Sequence, residues 1–156
     1  MLIKTITILL VEDNSEDACL VRKILEEVES CHFQVIHVSG LADALSYLTP
    51  KTPIASVVQK WTLSANAIPQ KQAFPLSSVQ QDNLFSIGAI LLDWSLPDAQ
   101  GMEAVLQLHR SFPEVPIVVM SDSYHEATAL QVLQQGAQDY LVKDWTNTHL
   151  FVRSLR

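Results

Sequence analysis

Five positions in this sequence carry groups suited to metal or phosphoryl chemistry: Glu12, Asp13, Asp93, Ser121 and Lys143. Three carboxylates brought within a few ångströms repel one another, and one would take up a proton unless a cation balanced them. A hard, oxygen-seeking ion such as Mg2+ suits such a set and keeps several of its waters. Together with the Lys143 ammonium it would neutralise an incoming phosphoryl group. Asp93 would then be the nucleophile, forming an acyl phosphate, with the Ser121 hydroxyl on one phosphoryl oxygen. Each residue also has a plainer role open to it. Glu12-Asp13 suits a solvated helix start, Asp93 a loop cap, Ser121 a helix cap and Lys143 a surface position. The elements that carry them favour the chemical role.

Each of the four sites closes a strand. Thr5 to Val11 is β-branched and apolar and ends at Glu12-Asp13. Ile87 to Leu92 has no polar break, the pattern of a strand covered on both faces, and ends at Asp93. Ile117 to Met120 ends at Ser121, and Gln138 to Val142 at Lys143. Phe33 to Val38 supplies a further strand. Helical spacing places Ala18, Val21, Leu25 and Val28 on the inner face of a first helix. Asn14 begins that helix, and Asp17 three residues on resembles a capping box. Further helices are expected over Leu41 to Leu48, Met102 to Phe112, Glu126 to Gln135 and Thr146 to Arg156, with Gly136 as a left-handed cap. Five strands alternating with helices predict an α/β fold. Its form is a flavodoxin-like, doubly wound five-stranded parallel sheet of order 2-1-3-4-5, with helices on both faces. In such a sheet all the strand ends above lie on one edge.

At 156 residues and 48% apolar composition, the chain is expected to be one domain with a substantial core. A formal net charge of −7 makes it a poor direct ligand for nucleic acid or an anionic membrane. No apolar run reaches the roughly 20 residues needed to span a bilayer. Cys19 and Cys31 read as reduced thiols of a cytosolic protein. Residues 51–84 break the rhythm, with Pro53, Pro69 and Pro75, three lysines and one acid. They read as an insertion between the second helix and third strand, either without chemistry or as a docking element anchored by Trp61 and Phe74.

The ordered set L-L-V-E-D-N (Leu9 to Asn14), L-L-D-W-S-L-P-D-A-Q-G (Leu91 to Gly101), V-V-M-S (Val118 to Ser121) and G-A-Q-D-Y-L-V-K-D (Gly136 to Asp144) resembles the receiver domain of two-component response regulators. The resemblance covers the chain except residues 51–84, so residues 1–156 read as a single receiver domain with an insertion. It implies Asp93 as phosphoacceptor. Asp13 would be a direct metal ligand, Glu12 one acting through water, and Asp93 and the Ser95 backbone carbonyl the rest of the protein's share of a Mg2+ site. Ser121 would be the switch hydroxyl, Lys143 the lysine of the phosphorylation site and Tyr140 the switch aromatic. The implied function is a phosphorylation-dependent switch in a phosphorelay, not an enzyme acting on external substrates. The phosphoryl donor would be a sensor histidine kinase or phosphotransfer protein. The reader would be a downstream effector or an attached output domain, and the setting the cytoplasm. The output face of the family would here expose parts of Gln131, Gln134, Tyr140, Trp145 and His149. The fifth-helix pattern runs to the last residue, which favours a receiver at the front of a longer chain over a stand-alone one.

Three positions depart from the family pattern. Asp144 stands where proline, commonly preceded by a cis bond, is usual; Asp122 replaces a small uncharged residue; and the insertion replaces a short connection. These favour one rival, a pseudo-receiver that acts by protein contact without phosphorylation. A Mg2+-dependent phosphohydrolase is disfavoured because Ser95 occupies the position of its second aspartate. A flavin carrier is disfavoured because Glu12-Asp13-Asn14-Ser15 would repel phosphate.

Overall fold

The computed structural model describes residues 4–49 and 87–155. The insertion expected at 51–84, with Trp61 and Phe74, lies outside these residues. The elements run β1 (Thr5–Val11), α1 (Ser15–Glu26), β2 (His32–Val38), α2 (Leu41–Leu48), β3 (Ile87–Asp93), α3 (Met102–Ser111), β4 (Ile117–Ser121), α4 (Glu126–Gln134), β5 (Asp139–Val142) and α5 (Thr148–Ser154). The strands form one parallel sheet in the order β2-β1-β3-β4-β5, as the alternation of elements predicts.

Side-chain alternation along the strands builds two cores. Leu9, Val11, Ile90, Leu92, Ile117 and Val119 point to one face, where α2, α3 and α4 cover them. Ile8, Leu10, Ala89, Leu91, Val118 and Met120 point to the other, against α1 and α5. Burial on both faces is why β3 and β4 carry no polar side chain before their last residues, Asp93 and Ser121.

Helix α5 ends at Ser154, short of the Arg156 expected from the pattern, and three other helix ends differ from the sequence pattern for identifiable reasons. Helix α5 starts at Thr148 rather than Thr146, because the Thr146 N–H and hydroxyl both donate to Asp144 Oδ1 in a turn of their own. Helix α3 stops at Ser111, with Phe112 outside the helical region at φ −137° and ψ 65° ahead of Pro113, whose ring disfavours a helical preceding residue. Helix α4 ends before Gly136, which takes φ 108°; a Cβ there would meet the His109 ring at 2.5 Å. The expected capping box is half formed. Asn14 accepts from the N–H groups of Glu16 and Asp17 at 2.9 and 3.3 Å. Asp17 does not complete it: the Asn14 N–H donates to Glu12 Oε1 at 3.0 Å instead.

Candidate functional site

Sheet register assembles the site. Val11 pairs with Leu92, so Glu12 and Asp93 leave neighbouring strands side by side. Asp93 pairs with Met120, which puts Ser121 one residue further along the next strand. Ser121 pairs with Val142, and the Lys143 N–H donates to the Ser121 carbonyl at 2.8 Å. Glu12 is held on both sides by its backbone. Its N–H donates to the Val38 carbonyl at 3.0 Å, and its carbonyl lies 2.7 Å from His37 Nε2. Glu12, Asp93 and Ser121 are the buried polar or charged residues among those described.

One ammonium balances three carboxylates. Lys143 Nζ lies 2.8 Å from Glu12 Oε2, 2.9 Å from Asp17 Oδ2 and 2.9 Å from Asp93 Oδ1. Burial alone would lower the Lys143 pKa; the contacts to Glu12, Asp17 and Asp93 outweigh it and raise the value above that of an ordinary lysine. Burial pushes the Glu12 carboxyl up, and the neighbouring Asp93 charge adds to the rise, against the opposing contacts to Lys143 and the Asn14 N–H.

Glu12, Asp13 and Asp93 can each present one carboxylate oxygen within 4.8 Å of the others. Glu12 Oε2 touches the ammonium off the direction of a hydrogen bond and is a buried oxygen without a hydrogen-bond donor. A cluster of hard oxygen donors, one of them with lone pairs to spare, fits a divalent cation. Ser95 follows in the exposed β3–α3 turn, bridged to Gln100. Gly101 closes the turn at φ 55°, with the Trp94 ring so near that a Cβ would meet it at 2.7 Å.

Tyr140 departs from the expected exposed face. It is 7% exposed, its hydroxyl donates to the Ser123 carbonyl at 3.0 Å, and its ring meets Trp94 and Tyr124 edge-on. Burial of the ring between two aromatics outweighs the pull of one polar oxygen toward solvent, because that oxygen finds its partner inside. Gln131, Gln134 and His149 are exposed and Trp145 is half-buried. The two acids that departed from the family pattern are not part of the acidic cluster. Asp122 is exposed, and Asp144 is exposed and bonded to Thr146, which lowers its pKa. No peptide bond among the described residues is cis, so the Lys143–Asp144 bond is trans.

Two residues of the neighbourhood were not legible as such. Asp17 reads as a helix-capping partner but bonds Lys143, 126 positions away. Asp98 reads as a turn residue but caps α2 from across the sheet edge. Its carboxylate accepts from the N–H groups of Leu41 and Ala42 at 3.0 and 2.9 Å, bonds that lower its pKa. An Asp in a helix's first turn and an Asp-after-Pro turn were the available signals; both point to local bonds first.

A parallel five-stranded sheet of this order, with an acidic cluster and a lysine at the carboxyl ends of its strands, has the architecture of a phosphorylation-based signalling domain. The sequence profile of the response regulator receiver domain matches residues 70–154, more than half the chain, and the chain belongs to that family. Among curated proteins, it is similar to the luminescence regulatory protein LuxO of Vibrio campbellii, with 41% identity over 54 residues. That match covers 35% of this chain and 12% of LuxO. It is also similar to the transcriptional regulatory protein KdpE of Staphylococcus aureus, 38% identical over 64 residues, or 41% of this chain and 27% of that protein. The matched segment is therefore a small part of either relative. Among solved structures, the Mn(2+)-bound form of response regulator Rcp1 aligns with 96% of this chain and 88% of its own at a TM-score of 0.60 and 22% identity. The phosphorylated cyanobacterial phytochrome response regulator RcpA aligns with 97% and 91% at 0.63 and 21%. At these identities the structural likeness speaks for the fold, including the β1 to α2 elements that the profile match leaves out. No helix among the described residues is long and apolar enough to cross a membrane.

Proposed function

We propose that this chain is a phosphorylation-dependent switch of a two-component phosphorelay, with Asp93 as phosphoacceptor. The observation that carries the reading is Asp93 itself. It is a buried carboxylate at the end of the central strand, 2.9 Å from a lysine ammonium and within an acidic cluster able to hold a cation. The donor would be a histidine kinase or phosphotransfer protein. An Asp93 carboxylate oxygen attacks phosphorus, the bond from phosphorus to the donor's imidazole nitrogen breaks, and that nitrogen keeps the electron pair. The product is an acyl phosphate on Asp93. Glu12, Asp13, Asp93 and the Ser95 carbonyl would hold Mg2+, which when bound supplies positive charge for the transferring oxygens. Lys143 neutralises a second part of that charge, and the Ser121 hydroxyl donates to a phosphoryl oxygen. In loss of the phosphoryl group, water would attack phosphorus, the bond from phosphorus to the Asp93 oxygen would break, and inorganic phosphate would leave the carboxylate restored, so the reaction is confined to the protein's own aspartate.

The readout would be the α4–β5–α5 face. Ser121 ends β4, and Ser123, two residues on, holds the Tyr140 hydroxyl through its carbonyl. Movement of Ser121 toward a phosphoryl group would strain that bond and bias Tyr140, a two-state element at the output face. An effector protein or an attached output domain would read it, in the cytoplasm. Residues 1–156 would be one receiver domain, with 51–84 as an insertion.

The test is intact mass after incubation with Mg2+ and a small acyl phosphate donor such as acetyl phosphate. One phosphoryl adduct is expected, dependent on Mg2+ and absent in Asp93→Asn. A folded wild-type chain that takes no adduct would leave the pseudo-receiver as the better reading.

A further inference from the structure

We propose that Asp17 is a positioning residue for phosphoryl transfer: from the first turn of α1, it tethers the Lys143 ammonium beside Asp93. The inference rests on the phosphoacceptor reading of Asp93. Three carboxylates approach Lys143 Nζ, but they are not equivalent. The contact with Asp17 Oδ2 at 2.9 Å has the geometry of a hydrogen bond. Those with Glu12 Oε2 and Asp93 Oδ1 are as short, at 2.8 and 2.9 Å. Glu12 and Asp93 also belong to the cluster able to hold a cation, and Asp17 does not. A divalent cation in that cluster would draw on the charge of Glu12 and Asp93 and weaken their hold on the ammonium. Asp17 would then be the anion that keeps Lys143 in place at the moment the phosphoryl group arrives.

The tether is itself held. The α1 start is fixed by the Asn14 side chain on the N–H groups of Glu16 and Asp17, and by Glu12 on the Asn14 N–H. The Lys143 side chain is 5% exposed, so its reach is defined by packing as well as by charge. Well-placed charge at the transferring group is most of what such a reaction requires, and a small displacement of it is costly.

The experiment compares the full chain with Asp17→Leu, Asp17→Asn and Glu16→Gln. Glu16 shares the helix turn, is exposed and does not touch Lys143. With acetyl phosphate as donor, Asp17→Leu is expected to lower the maximal rate of adduct formation about tenfold, a modest case of misplacement. Asp17→Asn, which keeps an acceptor oxygen, should lose less. The Mg2+ concentration for half-maximal rate should stay unchanged, since Asp17 lies outside the cation cluster. A second readout needs no phosphoryl transfer: acetylation of Lys143 by acetic anhydride at saturating Mg2+, measured by peptide mass. It should quicken in Asp17→Leu, whose ammonium has lost an anionic partner, and stay slow in Glu16→Gln. Unchanged labelling in both Asp17 variants, or adduct rates equal to or above wild type, would overturn the tether while the Asp93 reading stands. A wild-type chain that forms no adduct would remove that reading, and the tether's part in transfer with it.

Discussion

A single strand of this sheet passes through two unlike regions. From Ile90 to Leu92 the side chains are apolar and sealed between helices; at Asp93, the next residue, the side chain is a carboxylate and almost as deeply placed. On β1 the same change falls between Val11 and Glu12. The apolar region is held by interactions that add: each side chain removed from water contributes, and none opposes its neighbour. The edge is held by opposition. Carboxylates crowd together there because strand register, driven by apolar burial a residue or two away, leaves them no other place. Lys143 makes the crowding tolerable. Stability is therefore made in one region, while the other gathers the groups able to do chemistry, and Lys143 serves both.

That division can be broken at Lys143. Lys143→Met keeps the apolar stem but strands Glu12 and Asp93 with no counter-charge. Removing one partner of a buried ion cluster costs about 3–5 kcal/mol, so metal-free urea denaturation should show a loss of that order. Mg2+ should restore part of it through Glu12, Asp13 and Asp93. The raised Lys143 pKa sets the pH window: its contribution is complete below the ordinary lysine value of about 10.4 and is lost only as pH rises through the higher folded value. A loss under about 1 kcal/mol, the range of exposed ion pairs, would mean that the edge is more solvated than its packing implies.

Leu91→Ala sharpens the same contrast from the other region. It opens a cavity between β3 and the α1–α5 layer, for an expected loss of about 2–5 kcal/mol by the same denaturation. Mg2+ should not recover it, because the lost contact is apolar. Recovery by Mg2+ in both variants would show that the two regions do not report separately.

The smallest expected effect lies at Asp98, on the rim between the regions. Asp98→Ala removes the carboxylate that caps α2 and should cost about 1 kcal/mol, as loss of a helix N-cap does. The pKa of Asp98 is lowered by the N–H groups of Ala42 and Leu41. Its contribution is therefore present above the ordinary aspartate value of about 3.9 and fades as pH falls through the lower folded one. Wild type and Asp98→Ala should converge in stability in acid; a gap that persists there would point to packing instead of the charged cap.

Much of this was legible residue by residue. Apolar runs bounded by turn chemistry marked the strands, and alternation with helices implied their parallel order. That order alone carried Glu12, Asp93, Ser121 and Lys143 to one edge. Helix ends were harder, because they depend on single bonds such as those of Thr146 to Asp144. The burial of Tyr140 is not legible in the sequence, because the pattern around a strand residue says nothing of which oxygen its hydroxyl will find; here it is the Ser123 carbonyl.

The sequence by itself determined what lies at each strand's end, since strand length, apolar content and topology follow from patterns within a few residues. Only the tertiary structure decided who answers whom at that edge. Asp17 chooses Lys143 over its own helix start, and Asp98 chooses α2 over its own turn. The reason is one of range. Local bonds are set by neighbours in the chain, whereas a long-range partner exists only once the sheet has closed the distance between segments.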